Sequence, residues 1–148
     1  MMRVYLAAQF ARMPELGGYA VELEIAGIAA TSRWLLGGHE WVGTSDDDIP
    51  VDRLARFAQD DLADIEAADI IVCFTESPGS GPARGGRHFE AGYAYAAGKP
   101  IVVVGGIENI FYALPGVRHF ADWEHALQVL INARHTGGTC DLASERAS

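Results

Sequence analysis

Short apolar runs alternate with amphipathic stretches of helical length along most of the chain. Arg3-Val4-Tyr5-Leu6-Ala7-Ala8 is rich in β-branched and aromatic residues and predicts a first strand. Tyr19, Leu23 and Ile25 mark a moderately amphipathic stretch that predicts a helix over roughly 14–28, weakened at its start by Gly17-Gly18. A second strand is expected over 28–34, running into a Gly-rich loop over 37–50 that carries His39 and Trp41. Leu54, Phe57, Ala58, Leu62 and Ile65 recur at helical spacing and predict a helix over 51–68. Ile70-Ile71-Val72-Cys73-Phe74 is an unbroken apolar run, as expected of a strand buried on both faces. Residues 75–86 are rich in Gly, Pro and Ser and read as a loop, followed by a helix over 87–98 that Gly98 and Pro100 terminate. Ile101-Val102-Val103-Val104 predicts a further buried strand. Val117-Arg118-His119-Phe120 predicts a short last one, and a helix over 122–133 starts on Asp122 as N-cap.

Strands alternating with helices imply an α/β fold: a doubly wound, flavodoxin- or Rossmann-like parallel sheet of five strands with helices on both faces. Ligands of such sheets bind beyond the carboxyl ends of the strands, where the loops after Ala8, Phe74 and Val104 would meet. The length of 148 residues suits one domain, read as 1–134, with a polar C-terminal tail over 135–148. At this size roughly 70% of the unfolded surface can be buried, so the core needs no disulfide or metal staple. The net charge of −9 argues against a nucleic-acid binder with a broad basic face. Cys73 and Cys140 form neither a zinc spacing nor a disulfide framework. No apolar stretch reaches the roughly 18 residues that span a membrane, and a soluble, cytoplasmic chain is expected.

The candidate chemistry concentrates in Arg84-Gly85-Gly86-Arg87-His88-Phe89-Glu90-Ala91-Gly92-Tyr93-Ala94. A Gly-rich loop entering a helix turns free backbone N–H groups toward an anion, and Arg84 and Arg87 would add charge-assisted bonds. The segment is neither a Walker loop nor a dinucleotide fingerprint. Glu90, assigned to the first turn, is either an exposed acid complementing the helix dipole or a partly buried carboxylate available as a nucleophile. Arg84 and Arg87 fit a phosphate or an exposed, solvated role equally well. Gln9 and Phe10 leave the first strand at the edge of the expected site. Trp34 could stack on a base or cover the sheet edge. Asn109 follows the fourth strand within reach of a site, this chain's or a neighbour's. Asp46-Asp47-Asp48 lacks calcium-loop spacing and the histidines lack metal-ligand spacing, so no metal and no cofactor is expected.

Three blocks in order resemble the nucleoside 2-deoxyribosyltransferase family and its relatives that hydrolyse nucleoside monophosphates. Val4-Tyr5-Leu6-Ala7-Ala8-Gln9-Phe10 resembles the opening strand of that family. Asp61-Leu62, Ile65 and Ala68-Asp69-Ile70-Ile71-Val72 resemble its D-L-x-x-I…A-D-x-x-V stretch. Gly86 to Ala94 with Gly98-Lys99-Pro100-Ile101 resembles the block around its nucleophile, and Glu108-Asn109 gives a weaker echo.

The resemblance implies that Glu90 attacks C1′ of a nucleoside sugar, that Tyr5 orients its carboxylate, and that Asp61 helps protonate the leaving base. Substrate contacts are expected at Ala7, Gln9, Phe10, Trp34, Arg84, Gly86, Arg87 and Asn109. The expected partners are a nucleoside or nucleotide, a free nucleobase and further copies of the chain. One departure bears on substrate: transferases of free nucleosides often carry an acid six positions before the nucleophile, where this chain has Arg84. Arg84 is compatible with a phosphate and hence a nucleotide substrate, while the resemblance as a whole makes transfer to a second base the leading expectation. Hydrolysis of a nucleoside 5′-monophosphate and a non-catalytic nucleotide sensor are the alternatives, and cleavage of a ribosyl cofactor such as NAD is a more remote one.

Overall fold

A computed structural model describes residues 1–37, 49–77 and 85–137. Its strands are β1 (Arg3–Ala7), β2 (Ala29–Ala30), β3 (Ile70–Phe74), β4 (Ile101–Val104) and β5 (Val117–Phe120). The helices are α1 (Met13–Ile25), α2 (Val51–Ala67), α3 (Gly86–Ala96) and α4 (Trp123–Thr136). All strand pairs are parallel and the sheet order is β2-β1-β3-β4-β5. The doubly wound five-stranded sheet is therefore as expected. Among the described residues no helix is long and apolar enough to cross a membrane.

Every residue of β3 and β4 is buried, because helices cover both faces of the sheet centre. On one face α1 and α4 meet through aromatic rings. Tyr19 stacks on Trp123 at 4.7 Å and on Phe74 at 5.5 Å between ring centroids. On the other face α2 packs on α3, with Tyr93 donating its hydroxyl hydrogen bond to Glu66. Tyr5 of β1 pairs in register with Ile71, and Cys73 pairs with Val103. The chain winds from β1 to β2 in one direction and from β3 to β4 in the other. The switch point of the sheet thus lies between β1 and β3.

The second strand is far shorter than the expected 28–34. Its ladder ends at Ala30, and residues Arg33–Leu36 wind into a 3-10 turn. The backbone of β1 at Leu6 is satisfied by side chains instead. Leu6 N–H donates to Ser32 Oγ at 2.7 Å, and Trp34 Nε1 donates to the Leu6 carbonyl at 3.0 Å. Asp64 of α2 anchors the turn, accepting from Arg33 N–H at 2.9 Å and from Arg33 Nε at 2.6 Å. Helix α1 stops at Ile25, three residues early, because the chain reverses through Gly27 at φ +74°. Helix α4 takes up His135 and Thr136, which composition alone assigned to the tail, and residues 138–148 lie outside the described residues.

Candidate active site

Tyr5 reaches the site from the middle of β1, Asp61 from α2 and Glu90 from α3. Tyr5 is fully buried, and its neighbours at Val4, Leu6 and Ala7 are fully buried with it. Helix α3 starts at Gly86, with Gly85 as N-cap at φ +81°, and has no acidic residue in its first turn. Glu90 therefore lies one turn into the helix, which removes the reading of a first-turn acid complementing the dipole. The residue is half-buried, and its carboxyl couples to Tyr5 of β1 and Asp61 of α2.

The three side chains perturb one another's protonation. Burial, with the negative charge of Asp61 adding to it and the Tyr5 phenol pulling partly back by hydrogen bonding, pushes the Glu90 carboxyl up to about 8. Burial also pushes the Tyr5 phenol well above its ordinary value, with the charges of Glu90 and Asp61 adding to the effect. The Tyr5 hydroxyl meets no partner at full hydrogen-bond geometry. Phenol and carboxylate thus sit close enough to couple without completing an aligned bond. A crevice that desolvates a carboxylate, sets a second acid beside it and lays a phenol against it can support nucleophilic attack with proton transfer.

A second polar cluster joins the segments that follow the strands. The Arg87 side chain is only 2% exposed and pairs with Glu108. The other Glu108 oxygen accepts from the Glu76 backbone N–H at 3.1 Å. Glu76 in turn pairs with Arg12 at 3.0 Å, and Arg12 pairs with Glu15 at 2.7 Å. His88 Nδ1 lies 2.7 Å from the Tyr112 hydroxyl. Burial and the Arg87 charge hold the His88 ring below its ordinary pKa. Thr75 Oγ1 donates to the Gly106 carbonyl at 2.8 Å and locks the same two segments together.

The same fold recurs in solved structures of enzymes. A 2-deoxyribosyltransferase from Bacillus psychrosaccharolyticus is 20% identical, covering 84% of this chain and 90% of that one at a TM-score of 0.64. A 2-desoxiribosyltransferase from Leishmania mexicana is 16% identical, covering 89% and 98% at 0.59. The Clostridium botulinum CMP N-glycosidase BcmB is 21% identical, covering 86% and 97% at 0.53. The chain has the 2-deoxyribosyltransferase fold. No family model and no curated protein matches the sequence.

Within this deoxyribosyltransferase fold, the expected catalytic residues Glu90, Tyr5 and Asp61 come together, and the expected substrate contacts divide. Gln9 and Phe10 lie partly exposed where β1 ends, and Gly86 is exposed at the uncapped start of α3. Trp34 does not offer an open stacking face. It is 5% exposed, bonded to the Leu6 carbonyl and set against Phe10 at 6.2 Å between centroids. Arg87 is neither a solvated arginine nor an open anion anchor, since Glu108 already neutralises it inside the protein. The Ala7 side chain is fully buried. Asn109 caps the 3-10 turn Ile110–Ala113 by accepting from Phe111 N–H at 3.0 Å. Arg84, His39, Trp41, Cys140 and the acidic triplet at 46–48 lie outside the described residues.

The sequence reading missed Arg12, Glu76 and Tyr112 altogether and saw Glu108 only as a weak echo. Each is an ordinary polar residue near a strand end, and only their meeting in space singles them out.

Proposed function

We propose that this chain cleaves the N-glycosidic bond of a (deoxy)nucleoside through a covalent sugar ester on Glu90 and passes the sugar to another base. The convergence of Glu90, Tyr5 and Asp61 in one desolvated crevice at the switch point of the sheet carries this reading. A Glu90 carboxylate oxygen bonds to C1′ as the C1′–N bond breaks. The bond's electron pair leaves with the base, and Asp61 delivers a proton to that nitrogen. A second base then attacks C1′, the ester bond breaks, Glu90 is released as carboxylate and the incoming base's proton returns to Asp61.

Chemistry needs an ionised Glu90 and a proton on Asp61. The high proton affinity of Glu90 makes this the minor arrangement in the free chain. Positive charge developing at C1′ stabilises the carboxylate most in the transition state, which is where catalysis requires it. Tyr5 steadies the attacking oxygen. Gln9, Phe10, Gly86 and Asn109 are the proposed contacts to sugar and base, with Ala7 and Trp34 as the wall behind them. Arg84 stays a proposed contact, and Arg87 supports the start of α3.

Likeness to a CMP N-glycosidase supports a second reading, in which water resolves the ester of a nucleoside 5′-monophosphate. Incubation with a deoxynucleoside and a different free base separates the two: exchanged nucleoside supports transfer, and free sugar alone supports hydrolysis. The same assay with 5′-monophosphates tests the phosphate requirement. Trapping with a 2′-fluoro nucleoside followed by peptide mass spectrometry is expected to place the adduct on Glu90. An adduct on any other residue overturns the assignment.

A further inference from the structure

Helix α3 carries Glu90, and no side chain caps its start. Its N-cap is a glycine, and Gly86 follows at once. The restraint comes from elsewhere in the fold. Arg87, one turn before Glu90, is drawn under the surface to Glu108, and that same carboxylate takes the Glu76 N–H just beyond β3. Glu108 thereby joins the start of α3 to the ends of β3 and β4. His88 adds a second tie to this segment through Tyr112.

We infer that Glu108 is a positioning residue: through Arg87 it fixes the first turn of α3 over the end of β3 and so sets where the Glu90 carboxylate projects. The inference rests on the proposed role of Glu90. Glu108 touches neither Tyr5 nor Asp61 among its described contacts and acts at one remove from the reacting atoms. A buried arginine stripped of its counter-charge must move or draw in water, and the turn that bears it moves too. Misplacing a reacting group by about 1 Å can cost on the order of 100-fold in rate.

Glu108→Gln keeps an acceptor for the Glu76 N–H and removes the charge. It is expected to lower kcat by about 10- to 100-fold with KM within about twofold, the pattern of an interaction felt in the transition state alone. Glu108→Asp is expected to recover part of that loss. Arg87→Met/Glu108→Leu leaves no unpaired buried charge, so it keeps the test available should Glu108→Gln fail to fold. The same fall in kcat is expected of it.

Carboxyl 13C NMR of Glu90 supplies a readout that needs no turnover. Tyr5 from β1, Asp61 from α2, Cys73 from β3 and Tyr112 from the 3-10 turn face Glu90 and are unchanged in the double variant, and neither Arg87 nor Glu108 is among the groups that perturb Glu90 directly. A shifted Glu90 titration therefore reports a displaced carboxyl. Wild-type kcat in the folded variants, or a Glu90 titration identical to wild type in the double variant, overturns the inference. Absence of turnover by the wild-type chain on every nucleoside and nucleotide overturns the reading of function instead, and the NMR titration still decides the role of Glu108.

Discussion

At position 90 a nucleophile must be ionised, while the crevice that aims it makes ionisation costly. A carboxyl held above its ordinary value of 4.5 contributes stability while protonated. That contribution is complete below about pH 4.5 and is lost as pH rises through about 8. Glu90→Gln is therefore expected to abolish turnover and to raise stability at pH 8–9 by roughly 1–3 kcal/mol, flattening the pH dependence seen in urea melts. The wild-type kcat/KM is expected to climb toward pH 8 as Glu90 ionises. Asp61→Asn removes a raising charge and should move that rise to lower pH. Tyr5→Phe removes the group that pulls the carboxyl down and should move it to higher pH. Because the Tyr5 hydroxyl lacks an aligned partner, its loss should change stability by less than about 1 kcal/mol. A larger loss in Tyr5→Phe would show that the phenol does complete its bond.

At the scale of elements, the strands are rigid and the site depends on how the segments after them are tied. Gly105 sits at φ +121°, and a Cβ there would come within 2.3 Å of Thr75 Oγ1. Gly105→Ala is expected to cost about 2–3 kcal/mol and to part Thr75 from the Gly106 carbonyl, seen as a lower urea midpoint. Residues 70–74 and 101–104 were legible because a two-faced burial pattern is local and unbroken. The second strand was not. Past Ala30 the chain reads Thr31-Ser32-Arg33-Trp34, where Ser32 and Trp34 turn inward to serve the backbone of β1, and no periodicity signals a side chain replacing a ladder bond. The start of α3 shifted by one residue for a similar local reason. Gly85 takes the positive φ that frees Gly86 to begin the helix, and that moved Glu90 out of the first turn.

Across the whole molecule, an apolar groove of about 390 Å³ runs along the outer side of α3 and is lined in part by Phe89, Tyr95 and Phe111. Phe89 and Phe111 are each 68% exposed. The homo-oligomer implied by the family resemblance would cover such a surface. Sedimentation at micromolar concentration is expected to show a dimer or larger species, and a monomer would remove oligomerisation from the reading.

By itself the sequence determined the order of strands and helices, the parallel sheet and the block that bears Glu90, because apolar periodicity and helix punctuation act over a few neighbouring residues. Only the tertiary structure decided that Asp61 would lie beside Glu90, that Arg87 would turn inward to Glu108 and that Trp34 would serve the core. Those outcomes depend on how crossovers bring distant segments together and on which buried charges and backbone groups must then find partners.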